Sequence, residues 1–208
     1  MAFDTIPGRE IHNGPNGGIP AETLHNGPNG GTSSSGVVPR QSQKLPMRPS
    51  MLEAMAMDAN LSDDADLRDI CSYYMLFFAG FRIGTITASP HALTFEDLFF
   101  SPSFEHCTTV LICVRSSKTR PRASALPFWT AIARQPNLPF CPVQLLQLHY
   151  LRAYRGRPSQ NLFTAATGEP LPRRSFNTVL RRRLDNGQRH LAVRLDVTKF
   201  SAISFRKG

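Results

Sequence analysis

Three cationic residues are the first candidates for chemistry in this sequence: Arg82 in F-A-G-F-R-I-G, Lys118 in R-S-S-K-T-R-P-R and Arg206 in I-S-F-R-K-G. Cleavage of a phosphodiester without a metal needs fixed cations that face the non-bridging oxygens as charge develops there. Guanidinium groups suit that task because they are permanently charged and form paired hydrogen bonds. A lysine can protonate the leaving oxygen. These residue types make phosphodiester chemistry the first hypothesis.

Each of the three also has a plainer interpretation. Arg82 follows an apolar stretch and Gly80, so it either meets an anion or snorkels and caps the end of a helix. Lys118 is one of 4 lysines beside 20 arginines. This rarity favours a point charge or proton donor, yet a solvated turn charge fits as well. Arg206 taken alone is uninformative.

Positive charge is concentrated in the second half of the sequence. Residues 1–105 contain 6 basic and 12 acidic side chains, whereas residues 106–208 contain 18 basic and 3 acidic ones. A basic surface binds phosphates through counterion release, so this asymmetry favours nucleic acid as a partner, with contacts to the phosphate backbone. Beyond the three candidates, the residues expected on that surface are Arg115, Arg120, Arg122, Arg173, Arg174, Arg181, Arg182 and Arg183.

The elements that must position these cations are predicted to be mainly α-helical with a small antiparallel β-sheet. Ser62 is the expected N-cap of a long helix whose apolar residues recur at helical spacing to Phe78, and Gly80 is expected to end it. Lys118 would lie at the tip of a hairpin. Strands are predicted at 94–100, 108–115 and 123–128. Further helices are predicted at 50–60, after Pro142 and over 175–184.

Five short motifs, taken in order over about 47–208, resemble the catalytic domain of the tyrosine recombinases, the phage-integrase superfamily. That family has a first arginine in a pattern like T-G-x-R-x-x-E, an acidic pair after a strand, a lysine in S-K-T on a hairpin, a P-L-F-x-x-x-x-G-x-P-L segment and a second arginine in H-S-x-R-x-G. The matching segments here are A-G-F-R-I-G-T, L-T-F-E-D-L, S-K-T at 117–119, N-L-F-T-A-A-T-G-E-P-L at 161–171 and I-S-F-R-K-G.

The resemblance implies a mainly α-helical domain that grips DNA and cleaves it through a 3′-phosphotyrosyl link, without metal or cofactor. It implies that Arg82 and Arg206 hold the scissile phosphate and that Lys118 protonates the leaving 5′ oxygen. Self-association on DNA is a further expectation from the same family.

The sequence departs from the family pattern at several positions. The second-motif histidine is replaced by Ile203, and the acid three residues after the first arginine is replaced by Thr85. The sequence stops at Gly208 with no tyrosine after Tyr154. We therefore expect an incomplete catalytic domain that binds DNA and does not cleave it by itself. We also expect poor cover for Ile203 and Phe205, a marginal fold and a tendency to associate.

Two functions remain open at this stage. One is an incomplete recombinase domain for DNA recombination or integration. The other is a non-catalytic nucleic-acid-binding relic or domesticated fragment of a mobile element. An unrelated basic structural protein is disfavoured, because such proteins are usually rich in lysine as well as arginine.

The N-terminal region differs from the rest of the sequence. Residues 1–45 are rich in Gly, Pro, Asn and Ser and repeat a 13-residue unit at 6–18 and 19–31. This composition predicts a disordered tail before a domain at 46–208. Four cysteines without a C-x-x-C pair predict neither zinc nor disulfides. No segment is apolar enough for a membrane span, and the expected location is intracellular, in the nucleus if the source is eukaryotic.

Overall fold

The computed structural model describes residues 44–115 and 126–206, all within one compact unit, Arg40–Gly208. The helices are α1 (Pro49–Asp58), α2 (Asp64–Phe78), α3 (Ile83–Ile86), α4 (Pro142–Ala153) and α5 (Phe176–Gly187). The strands are β1 (Leu98–Ser101), β2 (Thr109–Val114) and β3 (Phe128–Ala133). The predicted fold class, mainly α with a small antiparallel sheet, is confirmed. The predicted tail lies outside the described residues except for its last two, and the N–H of Leu45 already bonds Lys199 O (3.0 Å).

Helix α2 runs through the core and ends where the sequence predicts. Its start is one residue later than expected, because Asp63 and not Ser62 is the N-cap. The Asp63 carboxylate accepts the N–H groups of Ala65 (3.0 Å) and Asp66 (2.9 Å). A carboxylate is favoured there by the helix dipole. Gly80, with φ of +63°, follows the helix in the left-handed conformation that ends it.

The sheet has the order β1-β2-β3, and both pairings are antiparallel. The prediction of a strand at 94–100 is wrong in its first half. Thr94 and Asp97 form a capping box around a 3₁₀ turn at Phe95–Asp97, and the strand begins only at Leu98. A side chain that bonds the local backbone competes with ladder formation, which explains the later start.

The partner strand of β2 is also displaced from its predicted position. It runs from Phe128 to Ala133 and thus shares only Phe128 with the described part of the predicted segment 123–128. Residues 123–125 lie outside the described residues. The observed strand is F-W-T-A-I-A, whose aromatic and β-branched residues fit a sheet better than A-S-A-L-P does.

The C-terminal segment completes the core around Tyr73. The Tyr73 ring lies 5.5 Å from that of Phe176 and 5.8 Å from that of Phe205, centroid to centroid. The expectation that Phe205 is poorly covered is therefore wrong, since it is only 2% exposed. The same expectation for Ile203 is confirmed, because 58% of that residue is exposed.

Helix α1 packs against α5 at a glycine. A Cβ atom on Gly187 would lie 3.0 Å from the backbone carbon and oxygen of Ala54. Glycine therefore permits an approach that a side chain would obstruct. In the described part of the chain, no helix is both long and apolar enough to cross a membrane.

Candidate phosphate-binding site

Two of the predicted cations, Arg82 and Arg173, line a single cavity of about 370 Å³. The sequence places them 91 positions apart and gives no sign that they meet. The other described residues that line the cavity are Ile83, Gly84, Thr85, Ser89, Pro90 and His91. None of these described residues carries a carboxylate, so the fixed charge at the cavity is positive.

Arg82 is held by a short, well-bonded turn after α2. Gly80 reverses the backbone, and Phe81 is 5% exposed and anchors the turn in the core. The carbonyl of Arg82 then accepts the N–H of Thr85 (2.9 Å), and the carbonyl of Thr85 accepts the N–H of Leu93 (2.9 Å). The backbone of Arg82 is therefore fixed while its side chain lies at the surface.

Arg173 is fixed by buried residues on both sides. Leu171, 3% exposed, donates its N–H to Phe163 O at 2.8 Å. Phe176, 1% exposed, begins α5. Between these anchors Arg173 and Arg174 are both exposed. The α5 N-terminal segment thus presents two adjacent guanidinium groups at the surface, one of which lines the cavity.

The Ser89 hydroxyl fixes one wall of the cavity. It donates to Gly84 O (2.5 Å) and accepts the backbone N–H of His91 (3.2 Å). These bonds hold the 84–91 turn in place beside Arg82. The cationic donors in the cavity are the two guanidinium groups, which match the requirements of a phosphate oxyanion. No sequence pattern marked His91 before the structure placed it here.

The other two candidate catalytic cations are not part of this cavity's described lining. Arg206 is exposed and ends a 3₁₀ turn at Ala202–Arg206, where the neighbouring Phe205 anchors the turn. Lys118 lies outside the described residues, as do Arg120 and Arg122.

Arg115 binds the acidic pair Glu96 and Asp97, which directly precedes β1. Its Nε lies 2.6 Å from Asp97 Oδ1, and its Nη1 lies 3.0 Å from Glu96 Oε1. Its side chain is 40% exposed. The two carboxylates offset its charge, so Arg115 contributes less to a phosphate-binding surface than the sequence predicts.

Arg183 does not lie on the surface predicted for it. It forms an ion pair with Asp66, its Nη2 is 3.6 Å from Asp69 Oδ2, and its side chain is only 11% exposed. Burial alone would raise the pKa of Asp66, but the hydrogen bonds from Arg183 and from the Asn60 backbone, together with the charges of Arg183 and Arg182, outweigh it and the pKa is lowered. Burial raises the pKa of Asp69, against the effect of Arg68 at 2.8 Å. Arg183 therefore joins α5 to α2, and we remove it from the nucleic-acid surface.

The remaining two arginines of the cluster differ from each other. The Arg181 Nε donates to Phe200 O at 3.0 Å and so ties α5 to the C-terminal segment. Arg182 is exposed, and it makes no ion pair with the described residues. Of the three consecutive arginines, Arg182 is the one best placed to reach a polyanion.

A second, polar cavity of about 520 Å³ lies along the segment 157–170. Arg157 is the one charged residue among its described lining residues, which also include Ser159, Gln160, Asn161 and Thr164. No pattern in the sequence marks Arg157 as a site residue.

The cysteines give no sign of metal binding in the described residues. All four are buried and free of disulfides, and burial raises the pKa of the Cys71 thiol. Among the residues that the structure covers, no three His, Cys, Asp or Glu side chains cluster as they would around a metal.

No model of a known protein family matches this sequence, and a search of curated proteins found no match. The resemblance to tyrosine recombinases therefore rests on the five motifs and their order. The first of those motifs contains Arg82, which lines the described cavity. The motif at 161–171 contains Phe163 and Leu171, whose backbone hydrogen bond fixes the segment before Arg173.

Proposed function

We propose that this chain is a DNA-binding domain of the tyrosine-recombinase type that holds the phosphate backbone through Arg82 and Arg173. The observation that carries the proposal is the shared cavity, which two arginines from distant segments line without a carboxylate among the described lining residues. Two such groups can grip one phosphate or two neighbouring ones.

The wider charge distribution supports the same partner. Arg174 and Arg182 are exposed, and neither forms an ion pair with the described residues. They extend the positive surface on either side of the start of α5. Such a surface gains affinity from counterion release whatever the DNA sequence.

The recombinase resemblance extends the proposal to strand cleavage. On that hypothesis Arg82 and Arg206 hold the scissile phosphate and Lys118 protonates the leaving 5′ oxygen, as part of DNA recombination or integration. The second candidate function is DNA binding without cleavage, as in a domesticated fragment of a mobile element. Ile203 favours the second candidate, because an alkyl side chain cannot transfer a proton where the family has histidine.

Binding of a labelled short duplex, followed by fluorescence anisotropy at several salt concentrations, tests the phosphate-binding site. Because hydrogen bonds to charged groups contribute about 1.5–3 kcal/mol, Arg82→Ala and Arg173→Ala should each weaken binding about 10-fold or more. Each should also lower the slope of log affinity against log salt by about 0.9. Arg155→Ala, which removes one exposed charge away from the cavity, is the matched control and should have little effect.

Equal effects of all three variants would show that only total charge matters and would remove the cavity from the proposal. Strand cleavage is tested by incubation with a nicked duplex and a denaturing gel. A covalent protein–DNA adduct would support strand cleavage and contradict the expectation that this sequence does not cleave DNA by itself. Duplex binding with no adduct agrees with that expectation and leaves DNA binding as the activity of this sequence.

A further inference from the structure

The polar cavity of about 520 Å³ adjoins the proposed phosphate site, which we call the Arg82 cavity. Ala88 lines the polar cavity, and the next residue, Ser89, lines the Arg82 cavity. Pro170 lines the polar cavity, and Arg173, three positions later, lines the Arg82 cavity. Because three residues span at most about 11 Å, the walls of one cavity continue into the other along two separate segments.

Backbone hydrogen bonds of Leu93 tie the walls of the two cavities together. Its N–H donates to the carbonyl of Thr85, which lines the Arg82 cavity (2.9 Å), and its own carbonyl accepts the N–H of Leu162 (2.8 Å). Leu162 directly follows Asn161, which lines the polar cavity. Both leucines are buried, so this link is anchored in the core. The two cavities are therefore held at a fixed separation.

The charged residue of the polar cavity has no partner that neutralises it. The Arg157 side chain is exposed, and it forms no ion pair or hydrogen bond with the described residues. Glu96 lies close in the fold, since its N–H donates to Pro158 O (3.0 Å), but its carboxylate binds Arg115. No carboxylate is among the described lining residues, and Glu169, between two of them in the sequence, does not line the cavity. Arg157 is therefore able to bind an anion there.

The uncharged side chains of the polar cavity suit a sugar–phosphate backbone. They belong to Ser159, Gln160, Asn161 and Thr164. Arginine and side chains with hydroxyl or amide groups are among the groups that bond phosphate and sugar oxygens in protein–DNA complexes. A small anion occupies only one of the two cavities, whereas a nucleic-acid strand carries one phosphate for about every 3.4 Å of its axis. A single strand of this kind therefore reaches the cations of both cavities.

We propose that one strand of a bound nucleic acid runs through both cavities, with one phosphate held by Arg82 and Arg173 and a nearby phosphate held by Arg157. This inference rests on the proposed function and extends it by a second phosphate subsite. The two cavities form one groove, and the uncharged groups of the polar cavity bond the backbone. Contacts to the backbone carry no sequence information, so Arg157 adds affinity for any sequence.

Fluorescence anisotropy of a labelled duplex at several salt concentrations tests the contribution of Arg157. Arg157→Ala should weaken binding about 10-fold and lower the slope of log affinity against log salt by about 0.9. Arg157→Lys keeps the charge, so the slope should return to that of the parent protein. Arg155→Ala is the matched control, because Arg155 is exposed, lies two positions before Arg157 and lines neither cavity. Circular dichroism checks that each variant is folded.

The double variant Arg82→Ala with Arg157→Ala should bind about 100-fold more weakly than the parent, since contacts at separate phosphates contribute independently. Parent affinity and slope for Arg157→Ala, with binding weakened by Arg82→Ala, would overturn this inference and leave the proposed function standing. An equal loss for Arg155→Ala would also overturn it, because only total charge would then matter.

Two further outcomes identify other occupants. If Arg157→Ala lowers the affinity for inorganic phosphate and leaves duplex affinity unchanged, the polar cavity binds a free anion and the inference is wrong. If duplex binding is weakened by Arg157→Ala but not by Arg82→Ala or Arg173→Ala, nucleic acid is held at the polar cavity alone. That result would refute the proposed function at the Arg82 cavity and, with it, a strand shared by both cavities.

Discussion

His149 should make the stability of the fold depend on pH. It lies on α4 with 1% exposure, and its Nε2 is 2.7 Å from Leu162 O. A carbonyl oxygen can only accept a hydrogen bond, so Nε2 carries a proton. The ring is therefore neutral when Nδ1 carries none. Phe95 and Phe163 stack on the ring at 6.3 and 6.0 Å. Burial lowers the pKa of His149 to about 4, from an ordinary value of 6.5.

The magnitude follows from linkage between protonation and folding. Because the pKa is lower in the folded state, the unfolded chain binds the proton first as the pH falls. The stabilisation is fully present above pH 6.5 and is lost as the pH falls toward about 4. At about pH 4.5 the difference in pKa corresponds to a loss of about 2–3 kcal/mol in the free energy of unfolding, relative to about pH 7.5.

Urea unfolding of the parent protein and of His149→Gln at these two pH values measures this loss. The glutamine amide can donate to Leu162 O and does not titrate, while carboxylates such as Asp69 titrate in both proteins. The parent should therefore lose about 2–3 kcal/mol more than the variant between the two pH values. An equal loss in both would refute the assignment of a buried neutral imidazole, whatever the absolute stability of the variant.

Three further substitutions test the packing that positions the site. Arg183→Ala leaves the partly buried Asp66 without a cationic partner, while Asp69 keeps Arg68. The change should lower the free energy of unfolding by about 2 kcal/mol, against about 0.5 kcal/mol or less for the exposed Arg182→Ala. Equal costs in urea unfolding would contradict a stabilising ion pair between α5 and α2. Gly187→Ala forces α1 and α5 apart and should lower the free energy of unfolding by about 1–2 kcal/mol. A rise in melting temperature would show instead that the two helices can accommodate the added methyl group. Phe205→Ala should lower the free energy of unfolding by about 3 kcal/mol, and Ile203→Ala should lower it by less than about 0.5 kcal/mol, in the same assay. A small effect of Phe205→Ala would show that the C-terminal turn is not part of the core.

Local signals in the sequence predict the central elements well. The apolar spacing of α2, the β-branched run of β2 and Pro142 at the start of α4 each depend on neighbours within a few residues. The start of β1 depends on whether Asp97 bonds the backbone of Thr94, which is a choice between two local structures of similar energy. The strand prediction at 94–100 is wrong for that reason.

Long-range contacts decide the positions that the sequence does not predict. Phe205 is covered by Tyr73, 132 positions earlier, and Arg183 is paired with Asp66, 117 positions earlier. A run of three arginines predicts a basic surface, yet the fold buries one of the three and ties another to Phe200 O. The meeting of Arg82 and Arg173 in one cavity has the same long-range origin. The composition predicts a polyanionic partner for both residues, but it does not predict that they line one cavity.

The ion pairs also determine how much of the positive charge can reach a polyanion. Acidic residues of the first half form ion pairs with basic residues of the second half: Asp66 with Arg183, Asp97 with Arg115 and Asp58 with Arg189. Each such pair removes one cation from counterion release, so the salt dependence of DNA binding should be smaller than the 18 basic residues at 106–208 suggest. Three exposed arginines without an ion pair to described residues, Arg173, Arg174 and Arg182, lie just before α5 and within it. On the proposed function, nucleic acid that follows this helix would reach the Arg82 cavity through Arg173.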